Sequence, residues 1–265
     1  MSCYRCAIFA LVLFMSAPAH AAETVQLHAA GSLRGALTEV SAAFEKSSGV
    51  KVEAKYGPSG LLRDEIANGA KAEVFASANM MHPETLAKTG KAGPVKMFAR
   101  NTLCALVKPG LSVTRDTLLD RMLDPATKLG TSTPEADPSG DYAFEVFRKA
   151  GAVKAGANDT LARKALQLTG GPNSAQPPAG RNAYGHVVAS GQADIFLTYC
   201  TNAVMAAKEN PGQQVVALPA DLAVGADYGL TVINGASANA ERFAGYILSR
   251  EGQGILAKHG FAAPR

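Results

Sequence analysis

The sequence predicts an α/β fold of two lobes, each a mostly parallel sheet flanked by helices, with a ligand cleft between the lobes. Three observations carry this. Apolar strands alternate with amphipathic helices from Val25 onward, glycine- or serine-bearing turns stand where strands pass into helices, and two such α/β stretches join near Asn101 and again near Ile233. Composition agrees: 265 residues at 47% hydrophobic and 18% charged is globular chemistry, which excludes disordered, collagen-like and coiled-coil classes. Basic residues number 26 against 22 acidic, a net charge of +4, and no Lys/Arg run exceeds two residues, so nucleic acid finds no binding stripe.

The N-terminus reads as a targeting segment. Arg5 supplies a basic start, residues 7–15 form an uncharged apolar run, and Ala19-His20-Ala21 fits the small-x-small rule for cleavage. The run is too short for the ~20 apolar residues of a membrane-spanning helix. The expectation is a signal peptide over 1–21, export to the periplasm and no membrane insertion. The expected lobes are 22–101 with 233–265, and 102–232.

Residues 25–30 form a strand that enters Gly31-Ser32, and Leu33, Ala36, Leu37, Val40 and Phe44 then mark one face of a helix closed by Gly49. Residues 51–56 alternate as a second strand, Gly57-Pro58-Ser59-Gly60 makes a turn, a helix runs over 61–68, and 73–78 is a third strand. Further strands are expected over 101–108, 128–133, 193–199 and 228–233. Helices are expected over 141–149, from Asn158 or Asp159 to Gln167, and over 182–190, 202–209, 239–249 and 251–259, with a Gly/Pro/Asn-rich surface loop over 169–180. Cys3 and Cys6 leave with the signal; Cys104 and Cys200 remain, as a disulfide or as two buried thiols.

Four turns carry the chemistry: Gly31-Ser32, Gly57-Pro58-Ser59-Gly60, Pro138-Ser139-Gly140 and Ala179-Gly180-Arg181. A helix start offers unpaired N–H groups and the positive end of the helix dipole, and a serine adds a hydroxyl, so each turn can hold an anion oxygen. Each serine can equally be a plain N-cap for its own helix.

The stretch AAGSLRGALTEVSAAFEKSSGVKVEAKYGPSGLLRDEIANGAKAEVFASAN resembles the opening lobe of the periplasmic molybdate-binding proteins, solute receptors of ABC importers with the type II periplasmic binding protein fold. DPSGDYAFEVFRKAG, VVASGQADIFLTYCTNA and EGQGILAKHGFAAP match later segments, so the likeness runs in order over nearly all of residues 25–264. The resemblance implies a monomeric, non-enzymatic receptor without a cofactor, which captures molybdate or tungstate and hands it to an inner-membrane ABC permease. It implies that Ser32 and Ser59 bind the oxyanion from the first lobe. From the second, Ser139 and Gly180 would give backbone N–H groups, and Tyr199 a hydroxyl whose other reading is a buried strand residue bonded to a carbonyl. Asn79 and Asn202 stand where relatives carry Asp, Pro58 replaces a Ser, and the loop around Gly170-Gly171-Pro172 is longer than usual.

A fully deprotonated tetrahedral dianion only accepts hydrogen bonds, so a cage of donors alone suits molybdate, tungstate or sulfate and gives a protonated phosphate no acceptor. Rival readings stay open. Ser59 with His82 or His186 could serve hydrolysis, although Gly-Pro-Ser-Gly is not the Gly-x-Ser-x-Gly elbow. His28, His82, His186 or His259 with a carboxylate could hold a metal ion. Arg34, Arg63 and Arg181 could grip an organic or phosphorylated acid bidentately, or lie on solvated helix faces.

Overall fold

The computed structural model describes residues 24–264, and the expected signal segment with Cys3 and Cys6 lies outside the described residues. Strands β1 (Val25–Ala30), β2 (Val52–Gly57) and β3 (Val74–Ser77) run parallel with β1 central, Val25 opposite Val52 and Leu27 opposite Val74. Parallel neighbours need crossovers, and helices α1 (Arg34–Ser48) and α2 (Ser59–Ala67) supply them. The predicted apolar face of α1 is the buried one, Ala36, Leu37, Val40 and Phe44. Gly49 ends the helix in the left-handed conformation at φ 73°, donating its N–H to the Glu45 carbonyl.

After α3 (Met81–Lys88) the long β4 (Lys96–Val107) begins five residues ahead of the expected strand. There follow α4 (Leu118–Leu123), β5 (Leu129–Ser132), α5 (Pro138–Val153), α6 (Ala157–Lys164), β6 (Leu166–Thr169) and α7 (Ala183–Ala189). The chain then forms β7 (Ile195–Tyr199), α8 (Cys200–Glu209), β8 (Gln214–Ala217), β9 (Gly225–Val232), α9 (Ala238–Leu248) and α10 (Arg250–Lys258). The helix expected to reach Gln167 stops at Lys164. Leu166 to Thr169 instead pair with β5, because sheet hydrogen bonds outweigh the local helical pattern. Strand β8 and helices α3 and α4 are additional to the expected elements.

The strand order is β2-β1-β3-β9-β4-β7-β5-β6, with β8 also on β4. Within it β2, β1 and β3 are parallel, as are β7, β5 and β6, whereas β4 and β9 run antiparallel to their neighbours. Strand β4 is shared: residues from Lys96 to Thr102 pair with β9, and those from Leu103 to Val107 with β7 and β8. Strand β9 pairs with β3 and with the first half of β4.

One buried cluster runs through both lobes, joining Phe44, Phe98, Phe147 and Phe243 to Tyr199 and Tyr228, and each such side chain contributes about 1.5–3 kcal/mol by burial. Cys104 and Cys200 are bonded, tying the second half of β4 to the first residue of α8, next to Tyr199. The bond closes a separation of 96 residues. Replacing both cysteines by alanine is therefore expected to remove about 2–4 kcal/mol of stability. A urea titration reads this as an earlier midpoint; an unmoved midpoint would show that packing alone holds β4 against α8.

Candidate functional site

Ser32 lies in a single 3-10 turn between β1 and α1, Ser59 opens α2, Ser139 is in the first turn of α5, and Tyr199 ends β7. All four are buried, with relative exposures of 9%, 1%, 0% and 1%. None of the three serine hydroxyls caps its own helix. No side chain caps α1 or α2, and α5 is capped by Asp137, which accepts the Ser139 N–H. The capping alternative therefore fails for each serine.

The Ala78 N–H donates to Ser59 Oγ at 3.1 Å, and the Tyr199 hydroxyl donates to the Ala78 carbonyl at 3.4 Å, so a single residue joins a first-lobe serine to a second-lobe tyrosine. The Tyr199 ring lies 5.6 Å from that of Tyr228 on β9, whose hydroxyl is 3.0 Å from Ser32 Oγ. Asn101 donates to the Tyr228 oxygen at 3.4 Å and to Thr201 Oγ1 at 2.9 Å. The Ser32 and Tyr228 hydroxyls share one hydrogen bond in which either can donate. Ser59 accepts from the backbone and keeps its own proton to give. Ser139 Oγ is buried without a hydrogen-bond partner.

Across the lobes, the Gly60 N–H donates to the Ala136 carbonyl at 2.9 Å. A Cβ at Gly60 would stand 2.1 Å from the Glu135 carbonyl oxygen and 2.8 Å from that of Ala136, so only glycine permits this approach. Glu135 itself is at φ 65°, and its N–H is held by Asp141. Hydrogen bonds and ring contacts thus run continuously from Ser32 through Tyr228, Tyr199, Ala78, Ser59 and Gly60 to Ala136, next to Asp137 and Ser139. Gly180 does not join them: it is exposed at φ 77°, in the turn before Asn182 caps α7, and no hydrogen bond links it to the group among the described residues. Tyr228 and Asn101 were missed by the sequence reading. Tyr228 lies inside an expected strand, where an aromatic signals core and not site.

Burial above all, with Tyr228 next, holds the Tyr199 hydroxyl well above the usual tyrosine range, and burial likewise raises Tyr228, so both stay protonated donors. The arginines lie elsewhere. Arg34 stacks on the Tyr56 ring at 4.6 Å, Arg63 bonds Asp64 and His82 Nδ1, and Arg181 pairs with Glu209 and Asn210. Burial, aided by Arg63, lowers His82 to about 4, so its imidazole is neutral near pH 7. Ser59 Oγ has no histidine partner among the described residues. Asn79 Oδ1 accepts the His82 N–H in the first turn of α3 at 3.1 Å, and Asn202 donates to Thr198. Among the described residues no three His, Cys, Asp or Glu side chains gather as metal ligands, and no helix is long and apolar enough to cross a membrane. Two surface hollows, one beside Lys108 and Glu209 and one beside Arg115 and Asp221, lie away from this group.

Two sets of strands sharing β4, with buried donors meeting between them, define a two-lobed binding protein. The chain belongs to the bacterial extracellular solute-binding proteins, whose family profile matches residues 25–262. That family consists of substrate-binding receptors and not enzymes. The molybdate-binding protein ModA of Escherichia coli is 29% identical over 248 residues, 89% of this chain and 88% of its own length. The periplasmic molybdate-binding protein of Azotobacter vinelandii superposes with a TM-score of 0.73 at 24% identity, covering 91% of this chain and 100% of that one. The sulfate-binding protein SubI of Mycobacterium tuberculosis reaches 0.75 at 20% identity, covering 91% and 87%. At these identities the solved structures share the fold.

Gly60→Ala places a methyl group against two backbone carbonyls of the facing lobe. The expected outcome is a wider separation of α2 from the 134–137 segment, read as a larger radius of gyration in small-angle scattering. An unchanged radius would mean that the segment yields locally.

Proposed function

We propose that the protein is a periplasmic receptor that captures an oxyanion, molybdate or tungstate first among them, and delivers it to an inner-membrane ABC permease. The observation that carries this reading is the orientation of the buried hydroxyls. Ser59 accepts a hydrogen bond from the protein and keeps a proton to donate, Ser32 shares one with Tyr228, Ser139 Oγ has no partner, and the protonated Tyr199, whose O–H is given to the Ala78 carbonyl, would turn that proton to the guest. A small tetrahedral anion needs donors in place of its water shell, and neutral donors supply them without the rigid fork of an arginine. Ser32, Ser59, Ser139 and Tyr199 are assigned as ligand residues. Gly180 joins them only if the 170–182 segment moves inward when the ligand binds. No bond is broken: the guest bridges the lobes, shifts the balance toward the closed arrangement, and the permease reads that arrangement.

Sulfate is the second reading, supported by the likeness in fold to a sulfate-binding protein, and the two anions differ in radius more than in hydrogen-bonding chemistry. Calorimetry of residues 22–265 against molybdate, tungstate, sulfate, thiosulfate and phosphate ranks them. Ser59→Ala is expected to weaken binding of the preferred anion by about ten-fold or more, because a donor to a charged acceptor is lost. Affinity unchanged by Ser59→Ala would remove the serine, and with it this geometry, from the site.

A further inference from the structure

A carboxyl group stands where the second lobe would meet an anion. Asp137 is 8% exposed, and its Oδ1 accepts the Ser139 N–H at 3.0 Å, so the donor assigned to the ligand is already taken by an acidic side chain. The groups around it come from several elements. Asp141 stands on its own helix, Ser132 on β5 reaches it with a hydroxyl, and Tyr199 on β7 and Tyr184 on α7 are within electrostatic reach. Thr169 on β6 holds the Ser132 hydroxyl at 2.9 Å, and Gly170 closes over the carboxyl, where a Cβ would stand 2.5 Å from Oδ2. On the other side Ala136 receives the Gly60 N–H of α2. Among the described residues no Lys, Arg or His pairs with Asp137. An anion that takes the Ser139 N–H, or the unpartnered Ser139 hydroxyl, comes up against an acidic group that nothing neutralises.

We propose that Asp137 is a specificity-determining residue of this site, and that the bound oxyanion is held with one proton shared between the Asp137 carboxyl and a guest oxygen. The inference rests on the oxyanion reading above. The proton has two sources. A fully deprotonated anion such as molybdate takes it from solution onto Asp137, whose protonated carboxyl then donates to the guest. A hydrogen-phosphate-type anion brings its own and donates to the ionised carboxylate, which supplies the acceptor that a cage of donors lacks. Burial is the first cause that lifts the Asp137 carboxyl to about 6, and Asp141 adds to it. For a deprotonated anion, affinity is then level below about pH 6 and falls about ten-fold per pH unit above it.

The test is calorimetry of the mature chain with molybdate, sulfate and phosphate at pH 5 and pH 7.5, in buffers of different ionisation enthalpy. Asp137→Asn is run beside the wild type, since an asparagine oxygen still caps the Ser139 N–H. Molybdate or sulfate is expected to bind the wild type with uptake of nearly one proton at pH 7.5 and almost none at pH 5. Asp137→Asn should bind with no uptake and no pH dependence. Phosphate bound without uptake from the buffer, and lost in Asp137→Asn, supports the same proton sharing from the guest's side. The buffer comparison on the wild type alone decides the matter should the variant not fold. Molybdate or sulfate binding without proton uptake at pH 7.5 would overturn the inference, leaving Asp137 a helix cap only and the oxyanion reading intact. Absence of binding by all three anions at both pH values would overturn that reading and this inference together.

Discussion

The hydrogen bond from the Ala78 amide to Ser59 Oγ decides which way a buried hydroxyl can give its proton. A serine oxygen that already accepts from the backbone has its proton left over to give, and Ser59 is too enclosed to turn it to solvent. Ser32 is tied to Tyr228, which Asn101 bonds in turn. Much of the surrounding architecture serves to hold these directions. Strand β3 delivers Ala78, β9 delivers Tyr228, β4 delivers Asn101, and the disulfide at Cys200 fixes the end of the strand that delivers Tyr199.

The electrostatics follow from what is kept away. Each of the three arginines near the proposed turns is engaged with a ring, a carboxylate or an amide of its own surroundings, and His82 is neutral. What remains beside these turns is a set of uncharged donors with the Asp137 carboxyl, and Asp141 behind it, among them. An arginine clamp would favour planar carboxylates and phosphates; uncharged donors discriminate by geometry and by the number of protons a guest carries.

The sequence made the order of strands and helices in both lobes legible, because its apolar spacing and the glycine after α1 act locally. It did not show that β4 would run from Lys96 through both lobes, or that Leu166 to Thr169 would leave their helix for the sheet, since both depend on partners distant in the chain. Of the proposed site, Ser32, Ser59, Ser139 and Tyr199 are suggested only by their resemblance to relatives; taken singly, each serine reads as a cap. Asp137 carried a signal of its own, as an acidic residue directly before Pro138 at a helix start, but that signal speaks of capping and says nothing of burial. Tyr228 gave no sign, because its role is set by Ser32 and Asn101, both more than a hundred residues away.

The first lobe is closed by the last part of the chain. Phe44 of α1 packs on Phe243 of α9 with ring centroids 5.1 Å apart, Lys258 and His259 bond Glu39, and β9 fills the place between β3 and β4. A polypeptide emerging from the ribosome therefore has its opening strands and first helix long before it has the surfaces that bury them. It stays unfinished until residues 225–259 have followed.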